Sequence, residues 1–361
     1  MGLNVSLDAI VANWRSLAAC APAARTAAVL KADAYGTGAA QVAPALYAAG
    51  ARDFFVALPH EGRAIRPLLA PDARIFVLSG PLAEDADLDG LIPVLNSAEQ
   101  FFRDRVTRPK GAFAIQLDTG MNRLGMERAE WAAVRAEALA AATDGGTGPA
   151  LVMSHLANAD EPDHLSNPAQ LAEFRAMTDG IAAPRSLAAT GGVLLGADYH
   201  FDLTRPGIGL YGGLPFEDAR PVVSLELPVI QTRPVRAGEC VGYGHAWTAP
   251  RDGRIATVAA GYADGIPRAL SGAGLRLWAG ERACTVVGRV SMDLMTVDVT
   301  GLDRVPPVLS LLNDRQTVDD VASLAGTIGY EILTSLGSRY TRSWTGDQGP
   351  GAAPPPQMPR P

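Results

Sequence analysis

Only two of the chain's 31 basic residues are lysine, Lys31 and Lys110. Lys31 follows the apolar run of "AAVLKADAYGTG", where a strand end would hold its amine partly out of water. Burial lowers a lysine's pKa, giving an amine able to form a Schiff base or take a proton, and arginine can do neither near neutral pH. Tyr35 follows among glycines that allow close backbone approach. "QLDTGMNRLGM" presents Arg123 beyond a turn at Gly120, and "MSHLANAD" presents His155. "LTRPGIGLYG" joins Arg205 to Gly207, Ile208 and Gly209, a turn whose backbone N–H groups suit an anion. Further on, "GECVGYGHAW" carries Tyr243, "AAGYADGIPR" Tyr262, and "VGRVSMDLM" Met292 and Asp293. Singly each has an ordinary reading, since a buried histidine usually just satisfies a core and a turn aromatic usually packs.

The elements that must position these residues follow two rhythms. From residue 27 to about 210, strands such as "AAVLKA", "DFFVAL", "RIFVLSG", "IPVLN" and "FAIQLDTG" alternate with helical stretches. "AAQVAPALYAAG", "ERAEWAAVRAEALAAAT" and "NPAQLAEFRAMTDGI" are the clearest helices. Such alternation implies βα units, and seven or eight of them fit a TIM-type (β/α)8 barrel. No G-x-G-x-x-G follows the first strand, which weakens a dinucleotide-binding alternative. In a barrel, function gathers where strands end, and Lys31, Arg123, His155 and Arg205 all stand there. After about residue 217, "VVSLELPVIQTRPV", "RIATVAAGY", "LRLWAG", "ACTVVGRV" and "LMTVDVT" read as strands between Gly and Pro turns, with one late helix at "TVDDVASLAG". The expected division is therefore a barrel over 1–216, a C-terminal all-β domain over 217–344, and a disordered Pro/Gly-rich tail over 345–361.

Composition narrows the functional classes. The 361 residues suffice for about two domains. A net charge of −7 without a basic run argues against nucleic acid or an anionic membrane surface as partner. Cys20, Cys240 and Cys284 are isolated and the five histidines form no H-x-x-x-H pattern, so no metal is expected. No window reaches the ~18 apolar residues of a membrane-spanning helix, and no signal-peptide layout opens the chain. The cytoplasm is the expected compartment. "MGLNVS" formally fits a myristoylation pattern, but no polybasic patch follows and it reads as a strand entering a helix.

"KADAYG", "DTGMNRLG", "SHLANADE", "RPGIGLYG", "GYADG" and "GRVSMD" occur in one order across nearly the whole chain. In that order they resemble the fold-type III, pyridoxal 5'-phosphate-dependent alanine racemases. The resemblance implies a head-to-tail homodimer in which each β-domain completes the partner's site. It implies that Lys31 forms the Schiff base with the cofactor and that Tyr35, Thr190, Gly207, Ile208 and Tyr330 hold its phosphate. Arg205 would face the pyridine nitrogen, and Arg123 the phenolic oxygen and the substrate carboxylate. Tyr243 would be the second base, linked to Arg205 through His155, while Tyr262, Met292 and Asp293 would line the substrate pocket. Racemisation removes a proton from one face of Cα and returns it on the other, so two bases are needed. Bringing a tyrosine from ~10 to ~7–8 takes roughly 3–4 kcal/mol, part of which Arg205 would supply through His155.

The implied activity is interconversion of L- and D-alanine for cell-wall peptidoglycan precursors. Its nearest alternative is a broad-specificity or serine racemase of the same family. A decarboxylase on this architecture lacks support because "GYADG" and "GRVSMD" follow the racemase pattern, and a non-catalytic cofactor-binding barrel would lack the β-domain. Several positions depart from the family's habits: Thr37 where histidine is frequent, Gln116 where a modified lysine is common, Ala189 for asparagine, Thr190 for serine and Gly242 for serine, with "SRYTRSW" near the end.

Overall fold

The computed structural model describes residues 1–82, 88–140 and 148–346. Its first sheet is a parallel run of short strands in chain order, from Ala28–Val29 through Asp53–Val56, Arg74–Val77, Ile92–Leu95, Ala114–Gln116 and Val152–Met153 to Arg185–Ser186. Leu203–Thr204 then pairs in parallel with Arg25–Thr26, the opening half of the first strand, and so closes the ring. All four residues of Asp53–Val56 are buried, as are all four of Ile92–Leu95, which is what parallel strands covered on both faces require. This is the (β/α)8 barrel.

The helix Leu7–Cys20 leads into the barrel. Ser6 caps it by accepting from the Ala9 N–H at 3.2 Å, and Leu7, Ile10, Trp14 and Leu17 form its buried face. Trp14 Nε1 donates to the Ala27 carbonyl of the first strand at 3.2 Å, and Asn13 Nδ2 donates to the Leu210 carbonyl at 3.2 Å. One helix therefore registers the strand that delivers Lys31 against the glycine turn that follows Arg205.

The second sheet has eight strands, with Val223–Val235 pairing both Gly253–Ala259 and Val308–Leu312 to make a barrel-like, largely antiparallel domain. Gly2–Ser6 belongs to this sheet, antiparallel to Val223–Val235 and parallel to Thr341–Thr345, so the chain's first strand lies outside the (β/α)8 ring. Two local expectations are corrected. A second late helix, Gly329–Ser335, follows Val318–Ala325. Thr345 still pairs with Ser6 rather than opening a tail, and 347–361, like the end of the "ERAEWAAVRAEALAAAT" helix, lie outside the described residues.

Candidate active site

Directly after the first barrel strand the backbone does something unusual for L-residues. Ala32, Asp33 and Ala34 have φ of 53°, 53° and 54°, and Tyr35 has 56°, so four non-glycine residues form a left-handed turn. Each such residue costs roughly 1–2 kcal/mol, so the surroundings must hold the turn in place. Ala34 N donates to the Leu30 carbonyl at 2.8 Å and Gly36 N to the Ala32 carbonyl at 2.8 Å. Thr37, buried, donates its hydroxyl to the Ala34 carbonyl at 2.5 Å. Asp33 accepts from the Ala39 N–H at 2.7 Å and starts the next helix, Ala39–Ala48. From the β-domain, Trp344 Nε1 donates to the Thr37 carbonyl at 2.7 Å. Gly36 is required here, since its φ is +79° and a Cβ would stand 2.6 Å from the Leu333 carbonyl oxygen.

The turn aims Lys31 and Tyr35 into a cavity of about 440 Å3 at the C-terminal mouth of the barrel. Gln116, Arg123, His155, Thr190, Arg205, Gly207, Ile208 and Tyr330 share that lining. Lys31 Nζ lies 5.9 Å from the centre of the Tyr35 ring, and that ring stacks on Tyr211 at 4.7 Å. Tyr211 in turn donates to the Val29 carbonyl at 2.8 Å, fixing the strand just before Lys31.

One end of the cavity is lined by hydroxyl groups and the glycine turn, two of whose N–H groups, expected from the sequence to face an anion, are instead given to Thr190. Thr190 Oγ1 accepts from Gly207 N at 3.0 Å and from Gly209 N at 3.3 Å, folding the glycine turn around itself. Gly207 cannot carry a side chain, because a Cβ would collide with the Tyr35 hydroxyl. The tyrosines are held as O–H donors: burial raises Tyr35, with Tyr330 adding to it, and burial with Asp160 and Asp319 pushes Tyr330 up to about 12.

The other end is cationic. Arg205 is 4% exposed and donates to the Ser186 hydroxyl and to the Ser154 and Leu187 carbonyls at 2.6 and 3.5 Å. Those acceptors are neutral; burial lowers Arg205 to about 9, leaving it a cation at neutral pH. His155 is pulled down to about 3 by burial and by Arg205, Arg123 and Lys31, so its ring is uncharged. Lys31 is lowered by burial first and then by Arg123, with Glu61 acting the other way. Arg123 rides an exposed loop that Gln116 steadies by donating to the neighbouring Leu124 carbonyl at 3.2 Å. A neutral amide thus does the bracing at position 116.

The remaining residues singled out in the sequence are not in this cavity. Tyr243, Tyr262 and Met292 are 72%, 44% and 51% exposed on the β-domain, and Asp293 pairs with Arg339 at 2.5 Å. Tyr262 and Met292 sit on adjoining turns, because Ala263 N donates to the Met292 carbonyl at 3.0 Å. The residues singled out in the sequence therefore fall into two separate groups on one chain, the Lys31 cavity and an exposed tyrosine–methionine face. Sequence reasoning missed Tyr211 and Glu61; Tyr211 stood inside a quoted glycine motif, whereas Glu61 reaches a backbone 29 positions away.

Among the described residues no group of three His, Cys, Asp or Glu side chains could hold a metal, and no helix is long and apolar enough to cross a membrane. The family model "Alanine racemase, N-terminal domain" matches residues 5–215, and "Alanine racemase, C-terminal domain" matches 222–344. The chain is 58% identical to an alanine racemase of Dinoroseobacter shibae over 348 residues, 95% of this chain and 98% of that one. It is 46% identical to an alanine racemase of Rhizobium meliloti, again over 95% of this chain and 96% of the relative. Among solved structures it resembles the Bartonella henselae alanine racemase with covalently bound pyridoxal phosphate, at TM-score 0.89 and 36% identity over 95% of this chain and 99% of that one. The alanine racemase of Streptomyces coelicolor superposes equally well, at TM-score 0.89 and 36% identity over 96% and 98% of the two chains. With both family models matched in order over a barrel and a β-domain, the chain belongs to the alanine racemase family and is an amino-acid racemase of that type.

Proposed function

We propose that this enzyme interconverts L- and D-alanine with pyridoxal 5'-phosphate held in the Lys31 cavity, in the cytoplasm, and so supplies D-alanine for peptidoglycan. The observation that carries the reading is the single cavity joining a depressed-pKa lysine, a buried arginine whose hydrogen-bond acceptors are all neutral, and a threonine-centred glycine turn. These residues fit the cofactor: its phosphate suits Tyr35, Thr190, Gly207, Ile208 and Tyr330, and the volume is within the usual range for such ligands. When bound, pyridoxal phosphate supplies an electron-withdrawing ring that stabilises the charge left by a departing α-proton.

The protein's own residues then do the rest. Arg205, a fixed cation, would keep the ring nitrogen unprotonated and so restrain the withdrawal. Arg123 would bind the substrate carboxylate, with Met292 and Asp293 closing the pocket and Tyr262 flanking it from the β-domain of a second copy, since all three lie outside the cavity of their own chain. Lys31 Nζ would exchange the proton on one face and Tyr243 Oη on the other. Tyr243 would come from a second copy, since it lies exposed on the β-domain and outside the cavity of its own chain. His155, uncharged, could relay a hydrogen bond from Arg205 toward that tyrosine without adding a charge. The three cysteines are free, which supports a reducing compartment.

Lys31→Ala is the decisive variant. It is expected to remove the visible absorbance of bound cofactor and to lower alanine racemisation by at least ~10³-fold, since a positioned base alone contributes 10²–10⁴. Retention of both would sink the assignment. Steady-state kcat/KM for alanine, serine and lysine tests the substrate; poor turnover of alanine beside good turnover of serine would favour the broad-specificity reading.

A further inference from the structure

Glu61 is the third residue of the helix Pro59–Ile65 and is half-buried beside the left-handed turn. Its two carboxylate oxygens serve different elements. Oε2 accepts from the Ala57 N–H at 2.7 Å and the Leu58 N–H at 3.1 Å, just past the second barrel strand. Oε1 accepts from the Ala32 N–H at 2.7 Å, in the peptide that immediately follows Lys31. The Oε2 bonds are half of a capping box, in which Leu58 has no side-chain acceptor to reciprocate. Helix capping accounts for Oε2 alone; it gives no reason for the other oxygen to grip the residue after the reactive lysine.

We propose that Glu61 is a positioning residue for Lys31, pinning the start of the strained turn to the second barrel strand and setting how firmly the amine holds its proton. Because both oxygens are engaged, the carboxylate has a fixed place, and its charge acts on Lys31 from one side. Arg123 acts from the loop after the fifth strand, while Arg205 lies buried deeper in the same cavity and His155 is neutral. Tyr35, on the far end of the turn, is protonated. A group that must alternately take and return a proton works best with a pKa near the working pH. Burial and Arg123 drive Lys31 down, and Glu61 limits the fall.

The inference rests on the role proposed for Lys31, but its first readout, the titration of Lys31 itself, does not depend on racemisation. With lysine only at 31 and 110, and Lys110 exposed, the full-length chain grown with ¹³Cε-lysine and freed of cofactor gives two titrating signals. Glu61→Gln keeps the shape and one acceptor oxygen. It is expected to move the Lys31 midpoint down, leave the Lys110 signal in place, and shift the pH profile of kcat/KM in the same direction. Glu61→Asp keeps the charge but is one methylene too short to span both elements, so kcat should fall with KM little changed. An unmoved Lys31 midpoint in a Glu61→Gln protein with unaltered thermal unfolding overturns the inference. Should Glu61→Gln not fold, Glu61→Asp decides: a fall in kcat supports positioning, and parental kcat overturns it.

Discussion

The hydroxyl at position 190 serves two backbone donors at once, Gly207 N at 3.0 Å and Gly209 N at 3.3 Å. A serine hydroxyl could accept from the same two donors. Thr190→Ser is therefore expected to bind cofactor like the parent. Thr190→Ala leaves buried N–H groups without an acceptor, and a loss of about 1–2 kcal/mol should appear in chemical unfolding of the cofactor-free protein. Residues of this kind were legible because an unusual side-chain type or a glycine-bounded turn marks them locally: Lys31 by lysine scarcity, Arg205 by the turn that follows it. Glu61 was not legible, because nothing in "HEGRAIR" announces that one of its oxygens crosses to Ala32.

At the scale of elements, the left-handed turn is clamped from outside its own domain. Trp344 holds the Thr37 carbonyl, and Arg342 reaches the Gly36 carbonyl at 3.4 Å and the Gly337 and Leu336 carbonyls at 3.0 and 2.8 Å. Thr37 faces inward to the Ala34 carbonyl, so its role is to lock the turn rather than to meet a ligand. Trp344→Phe keeps the packing but drops the hydrogen bond. It should cost about 1 kcal/mol in chemical unfolding and weaken cofactor binding severalfold, because the loosened turn carries both Lys31 and Tyr35. The barrel strands were readable as short apolar runs between helices. The turn was not, since four consecutive positive φ values run against local preference and exist only through tertiary contacts. The helix Gly329–Ser335 escaped for a related reason: it is seven residues long, begins at glycine and has no side-chain cap.

At the scale of the molecule, Lys31 and Tyr243 lie on different domains, and Tyr243, Tyr262 and Met292 are exposed. If two chains share each site, Lys31→Ala and Tyr243→Phe homodimers should each be nearly inactive. Mixing them under exchange conditions should then restore activity toward a quarter of the parent value, since half the dimers are mixed and each has one intact site. Restoration absent after exchange is verified by mass would exclude sharing. Sequence order alone could not reveal that the two groups fall apart within one chain, because motif spacing carries no domain orientation. The first strand adds a consequence of its own. Gly2–Ser6 lies between Val223–Val235 and Thr341–Thr345, so a strand that precedes the whole barrel must wait for two that follow it before its sheet is complete. Folding of the second domain therefore needs a long-range closure across the barrel, which favours slow assembly. A gene cut at the domain junction would yield a barrel fragment bearing an orphaned strand and a sheet missing one of its inner members.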